Sequence, residues 1–231
     1  MSSIAIITAR GGSKRIPKKN IRDFCGKPII AYSIEAALGA GIFDEVMVST
    51  DSEEIAEIAK RYGASVPFMR SEATSSDYAT TRDVLLEVLS NYKDIGMEFD
   101  EMVCIYPTAP FLTGKKLVNA MKVFHEKKGA MLIPVVKFSY PPQRAYVINN
   151  GKLIFRLEEY RYSRSQDLEP YYHEAGQFYC YKISDYYATN GNIVDDIIPY
   201  VLSESEVQDI DTEIDWTMAE LKYKLLKHDR K

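Results

Sequence analysis

Ser3–Thr8, SIAIIT, runs directly into Ala9–Asn20, ARGGSKRIPKKN. An unbroken apolar, β-branched run of strand length reads as a strand covered on both faces, the kind that parallel sheets bury. The glycines and basic residues that follow read as a loop at its carboxyl end. Downstream, helix and strand patterns alternate. Pro28 to Leu38 is helical and ends at Gly39 and Gly41, and Val46–Thr50 (VMVST) is the second strand. Asp51 and Ser52 offer caps to a helix with Ile55, Ile58, Ala59 and Tyr62 on one face and Gly63 as its stop. Ser65–Phe68 reads as a short strand, and Thr80 with Asp83 as a capping box before a helix through Leu89. Met102–Tyr106 is a strand broken by Pro107 and Pro110. A helix over about 113–127 and a strand over Ala130–Val136 follow. Strands separated by helices predict an α/β fold whose sheet is mostly parallel and flanked by helices.

The pattern changes after Phe138. Tyr140-Pro141-Pro142, the Asn149-Asn150-Gly151 turn and a Tyr- and Arg-rich tract to Tyr172 read as hairpin and loop, with aromatics suited to a partner surface. Regular structure resumes over Gly176–Tyr181 and about Ile198–Leu202, and a helix from about Asp215 to Lys227 closes the chain. The expected organisation is one domain over 1–231 with an inserted region at about 138–172.

Composition narrows the function. The 231 residues are 46% hydrophobic and 27% charged, with 12 Gly and 10 Pro. A chain of this length buries roughly 70% of its unfolded surface, so it requires no disulfide or zinc for a core. A formal net charge of −4 argues against general binding to nucleic acid or anionic membranes. The longest apolar runs fall well short of the ~20 residues that span a bilayer. Met1-Ser2-Ser3 lacks the parts of a signal peptide. Cys25, Cys104 and Cys180 are odd in number and far apart, as free thiols in a reducing compartment are. These features together predict a soluble cytoplasmic protein.

Within this acidic chain, five of the ten residues Arg10–Lys19 are basic. Gly11 and Gly12 permit close backbone approach, so successive N–H groups can face one anion. Arg10, Lys14, Arg15, Lys18 and Lys19 supply charge for a strongly negative ligand such as a triphosphate. The loop follows a strand, where open sheets bind ligands, yet fits neither GxGxxG nor GxxxxGK[ST]. A solvated basic loop is the alternative. The second signal is Asp209-Ile210-Asp211 within QDIDTEID. In an extended segment residues two apart share a face, so the two carboxylates converge and call for a cation; hard oxygen ligands suit Mg2+. An acidic start to the last helix is the competing reading. Tyr106-Pro107-Thr108-Ala109-Pro110 and Arg70 with Asp77–Thr81 also sit at strand ends or helix starts. His125, His173 and His228 lack metal-ligand spacing, no GxSxG occurs, and the YxxxK spacing of Tyr223 and Lys227 reads as a surface helix pair.

These motifs, in this order, resemble those of the CMP-sugar synthetases for nonulosonic acids. Within that family YPTAP and RSQDLEPYYHEAGQFY (Arg164–Tyr179) resemble the pseudaminic acid cytidylyltransferases. The resemblance implies a Rossmann-like nucleotidyltransferase fold, Mg2+ dependence and a homodimer built around the insertion. The implied reaction joins CTP and pseudaminic acid, a nine-carbon 2-keto acid sugar, into a CMP-sugar and pyrophosphate. It implies that Arg10 and Lys19 hold the triphosphate and that Ala9, Asn20, Arg70, Ala79 and Thr81, with the loop residues Gly11, Gly12 and Ser13, line the nucleotide site. Asp209 and Asp211 would bind Mg2+, and Asp211 is also a candidate base. Tyr106, Arg144, Arg164, Gln166 and Tyr179 fall on the family's sugar-binding surface, where a guanidinium suits a carboxylate. Tyr106 replaces a glutamine, and His173 an arginine, of the sialic acid enzymes. A synthetase for N-acetylneuraminic or legionaminic acid is the sister alternative, and a non-catalytic nucleotide-binding regulator is the alternative of another class.

Overall fold

The computed structural model describes residues 1–228. The chain opens with β1 (Ser3–Thr8), a hairpin of β2 (Asp23–Phe24) and β3 (Lys27–Pro28), α1 (Ile29–Ala40), β4 (Glu45–Ser49) and α2 (Glu53–Arg61). There follow α3 (Glu72–Ser75), α4 (Thr81–Asp94), β5 (Glu101–Ile105), α5 (Gly114–Lys127) and β6 (Met131–Lys137). The insertion holds β7 (Tyr146–Asn149) and β8 (Lys152–Phe155). After it come β9 (Tyr172–Glu174), β10 (Phe178–Lys182), α6 (Ile183–Ala188), β11 (Ile197–Leu202) and α7 (Glu213–His228). The side chain of His228 lies outside the described residues.

The main sheet has the order β11-β6-β10-β5-β1-β4, with β9 added beside β6. Strands β1, β4, β5, β6 and β11 run one way, while β9 and β10 run against them. The sheet is thus mostly parallel, in a Rossmann-like layered fold. β1 is central, and strand alternation divides its side chains between two cores. Ala5 and Ile7 pack with Ile30 and Ile34 of α1, Ile55 and Ile58 of α2 and Leu117 and Phe124 of α5. Ile4 and Ile6 pack on the other face with Leu85, Val88 and Tyr92 of α4 and Tyr186 of α6. Because both faces are covered, Ile4–Ile7 are fully buried, which is why the run carries no polar alternation.

Caps mark the helix boundaries. The Ser52 side chain accepts from the Ile55 N–H, and Thr80 and Asp83 form the reciprocal capping box at α4. In the insertion, Asn150 and Gly151 both have positive φ (48° and 73°), the geometry of a two-residue hairpin turn. Two expectations need correction. Ser65–Phe68 is not a strand: only Ser65 bridges to Met47, because Pro67 has no N–H to continue the ladder and the chain turns back toward Thr50. The return strand over 176–181 begins later, at Phe178, after Gly176 at φ 61° separates β10 from β9.

A third core joins the two chain ends: Ile16, Phe24, Ile29 and Tyr32 pack with Ile210, Trp216 and Ala219. Tyr223 adds edge-on contacts to Phe24 and Tyr32, and the Lys227 ammonium lies 4.8 Å from its ring centroid, so the YxxxK pair is indeed a helix-surface contact. Gly114, the first residue of α5, abuts the end of α1: a Cβ there would meet Ala40 N and Gly39 C at 2.7 Å. Helix propensity alone favours alanine over glycine at such a site. We expect Gly114→Ala instead to lower stability by about 1–3 kcal/mol, measured by urea denaturation. An unchanged or raised midpoint would contradict this close approach.

Candidate active site

From β1 the chain crosses through α1 to β4 on one side and returns, after α4, to β5 on the other. The loops after β1 and β5 therefore part at a topological switch point, where open α/β sheets form a crevice. A cavity of about 520 Å³ opens there. Its lining includes Thr8, Arg10, Ser13, Lys14, Arg15, Lys19 and Asn20 from the first loop, Arg70, Asp77, Ala79 and Thr81 from the segment before α4, and Tyr106. A second cavity, about 600 Å³, lies beside it. Tyr106 and Thr108 line both, and the second adds Lys137, His173, Glu174, Tyr179, Asp209 and Lys222.

The cationic loop meets Asp211, whose near neighbour Asp209 lines the second cavity. Lys19 Nζ donates to the Ile210 carbonyl at 2.7 Å and lies 3.6 Å from the Asp211 carboxylate, which Arg15 reaches at 2.8 Å. Ile210 is buried in the third core, so Asp209 and Asp211 flank an anchored residue. The cap of α7 is made by others: the Thr212 hydroxyl accepts from the Asp215 N–H, and the Asp215 carboxylate accepts from the Thr212 N–H. Helix capping thus leaves the Asp211 side chain to the basic loop. On the opposite rim, one carboxylate holds two cations: Asp77 pairs with Arg10 at 2.9 Å and with Lys14. Lys14 first, then Arg10, hold its carboxyl below the usual aspartate range through hydrogen bonds.

The wall between the cavities is aromatic. The Tyr106 and Tyr179 rings lie 5.5 Å apart, and the Tyr179 hydroxyl donates to Glu174 Oε2 at 2.8 Å. Burial pushes both phenols up, with the Glu174 charge adding to the rise at each, so both stay protonated donors at neutral pH. Arg70 donates from Nη2 to the Ser49 carbonyl at 2.7 Å; burial lowers its pKa against the pull of Asp51 and Glu87.

Residues 4–217 match the sequence profile of the cytidylyltransferases. The chain belongs to the cytidylyltransferase family. It is 42% identical to the pseudaminic acid cytidylyltransferase of Campylobacter jejuni over 97% of each chain. It is 35% identical to the CMP-N,N'-diacetyllegionaminic acid synthase of Legionella pneumophila over 95% of each. A CMP:2-keto-3-deoxy-manno-octonic acid synthetase complexed with CTP shares the fold, with a TM-score of 0.70 and 18% identity, covering 99% of this chain and 100% of that one.

In this cytidylyltransferase the residues expected at the nucleotide site divide. Arg10, Ser13, Lys19, Asn20, Arg70, Ala79 and Thr81 line the first cavity. Ala9 is buried beneath it, its N–H bonded to the Ser49 carbonyl. The expectation that Gly11 and Gly12 present successive amides to an anion needs correction. The Gly11 N–H donates to Asp51 at 2.7 Å, and neither glycine lines the cavity. Gly11 serves packing instead, since a Cβ there would lie 3.1 Å from Ser52 Cβ. Of the expected sugar-site residues, Tyr106 and Tyr179 line the second cavity, whereas Arg144 bonds Ser165, Arg164 bonds Asp167, and neither they nor Gln166 reach it within the chain. Sequence reasoning did not single out Lys137 or Glu174; their one signal is position, at the end of β6 and within YYHEAGQFY. If Asp77 holds Arg10 and Lys14 against an incoming anion, Asp77→Asn tightens pyrophosphate binding about 2- to 5-fold at low salt, measured by calorimetry. Unchanged or weaker binding would contradict this.

Proposed function

We propose that the chain transfers a cytidylyl group from CTP to pseudaminic acid, giving the CMP-sugar and pyrophosphate. The observation that carries this reading is the pairing of Lys19 and Arg15, which line the first cavity, with Asp211, two residues from the Asp209 that lines the second. One cavity is rimmed by cations and suits a nucleoside triphosphate. The other adjoins it across Tyr106 and suits the sugar acid. The 42% identity to a pseudaminic acid cytidylyltransferase supports that sugar.

In the reaction the anomeric hydroxyl oxygen attacks the α-phosphorus in line. Its bond to phosphorus forms as the bond from the α-phosphorus to the bridging β-phosphate oxygen breaks; the hydroxyl proton passes to a base, for which Asp211 is the candidate in this chain, and pyrophosphate departs. The protein chiefly positions the reactants and neutralises charge. Arg10 and Lys19 meet the charge that grows on pyrophosphate; such a donor contributes about 3–4 kcal/mol where it acts on an oxyanion. Lys137 has no ion pair among the described residues and lines the second cavity, so its ammonium is available to the sugar carboxylate. Tyr106 stands on the wall shared by the two cavities, while the Tyr179 hydroxyl proton is held by Glu174.

Asp209 and Asp211 fit Mg2+. Both would hold it as hard oxygen donors, leaving the rest of its shell to water and substrate phosphate. Bound there, the ion's chemistry is neutralisation of phosphate charge.

The homodimer belongs to the same proposal. Tyr140, Ile148, Leu153 and Tyr162 of the insertion are 88%, 78%, 68% and 90% exposed, which suits a second copy of the chain. Arg144, Arg164 and Gln166 lie in that insertion, and in such a dimer they would serve the cavity of the second copy. Among the described residues no helix is long and apolar enough to cross a membrane, and the three cysteines are free, in keeping with a cytoplasmic location.

Pyrophosphate release from CTP with pseudaminic, N-acetylneuraminic, legionaminic and 3-deoxy-manno-octulosonic acids tests the reading. Pseudaminic acid should give the highest kcat/KM. CTP binding without release on any sugar would favour a nucleotide-binding regulator. Asp211→Ala should abolish turnover with an unchanged circular dichroism spectrum, and a near-normal rate would remove Asp211 from the metal site.

A further inference from the structure

We infer that Lys116 and Gln177 are positioning residues: they grip the turn Glu204–Glu206 and so fix where Asp209 stands in the proposed metal site. This rests on Asp209 and Asp211 holding a divalent cation. The two aspartates are anchored differently. Asp211 is held directly, by Arg15 and Lys19. The Asp209 carboxylate has no such partner among the described residues, so the backbone on either side sets its place. On one side is Ile210, buried in the third core with its carbonyl bonded to Lys19. On the other, two residues back, is Val207, buried in an apolar cluster with Val136 and Ala175. The Lys222 ammonium donates to the Val207 carbonyl at 2.8 Å.

The turn that leads into Val207 is gripped from two more elements. Lys116 Nζ of α5 lies 2.9 Å from Glu206 Oε1, and Gln177 Nε2, just before β10, donates to the Glu206 carbonyl at 2.6 Å. Glu206 is thus held by its side chain and its backbone at once. Gln177 also steadies the wall between the cavities, since its own carbonyl accepts from the Tyr106 N–H at 2.9 Å. None of Lys116, Gln177 and Glu206 lines either cavity, so their effect on the site passes through the turn.

Local stability explains neither residue. Lys116 stands in the first turn of α5, where a cation opposes the helix macrodipole, and its side chain is only 11% exposed. Its compensation is Glu206, with the Phe111 carbonyl at 2.9 Å. Gln177 is buried, and its Oε1 finds no partner among the described residues. A half-satisfied buried amide is less favourable than an apolar side chain of similar shape. Local conflicts of this kind are expected where a functional group is being held in place.

Mn2+ binding to the CTP-saturated protein tests this, followed by water-proton relaxation with no sugar acid present, so that nothing turns over. The double variant Lys116→Met with Glu206→Met removes the pair without stranding one buried charge. It should weaken Mn2+ binding roughly 10-fold, the lower end of the range for groups that orient metal ligands. Gln177→Leu should weaken it by a smaller factor. Glu206→Gln alone keeps an acceptor for Lys116 and should retain part of what the double variant loses. CTP binding in EDTA, measured by calorimetry, should stay unchanged in all three. In turnover, the Mg2+ concentration for half-maximal rate should rise by the same factor as the Mn2+ dissociation constant. Thermal melting of each variant checks folding. A purely structural role would lower the melting temperature and leave Mn2+ binding unmoved; that result overturns the inference, as does an equal loss of CTP binding in EDTA. If Asp211→Ala binds Mn2+ as tightly as the unmodified protein, the metal site itself is overturned, and the inference with it.

Discussion

A single ammonium group ties the two ends of the chain together. Lys19 Nζ, only 20% exposed, donates to the carbonyl of Ile210 and lies beside the carboxylate of Asp211. A cation with that little access to water is stable only with acceptors fixed around it. The acceptors are fixed because Ile210 is packed among Ile16, Phe24 and Trp216. Apolar burial therefore sets where the charges stand. Arg22 repeats the tie from outside, pairing with Glu213 while lying 4.6 Å from the centre of the Trp216 ring. Without this seam the basic loop would have no fixed floor and the aspartates no fixed distance from it.

The charge pattern around the loop shows how a protein keeps a phosphate site ready in water. Each basic side chain of the loop has a carboxylate opposite it: Asp77 for Arg10 and Lys14, Asp211 for Arg15 and Lys19, Glu54 for Lys18. Exposed pairs of this kind are individually weak, so an arriving polyanion displaces them at modest cost. Their effect is orientation: the cations already point into the crevice before a ligand enters. Tyr106 belongs to both cavities at once, so the two share one wall.

Much of the layered fold was readable from periodicity, because SIAIIT, VMVST and the helix at Ile55–Tyr62 obey strong local rules. The capping box at Thr80 was readable for the same reason, since its two partners are three residues apart. What escaped depends on distance in sequence. Strand β9 exists only because it pairs with β6, and α6 is too short for a periodic signal. Glu174 gains meaning from its bond to Tyr179 on the next strand, and no local pattern announces that. The basic loop's position after β1 was readable, whereas the partner of the Gly11 amide was not, because Asp51 lies on another strand's loop. Arg144, Arg164 and Gln166 show the limit of motif transfer, which carries residue identity without carrying position: none of the three lines either cavity of this chain.

The reversed direction of β10 has a consequence for change over time. The polypeptide leaves the sheet at the end of β6 and comes back in as β9, where Tyr172 pairs with Lys137, before running on into β10, so exit and re-entry sit on the same rim. Residues can be gained or lost in the interval without sliding any register or opening either core. A lineage with this layout can remodel the edge of the second cavity and the exposed hairpin of β7 and β8 in one stroke, while the seam at Lys19 is inherited intact.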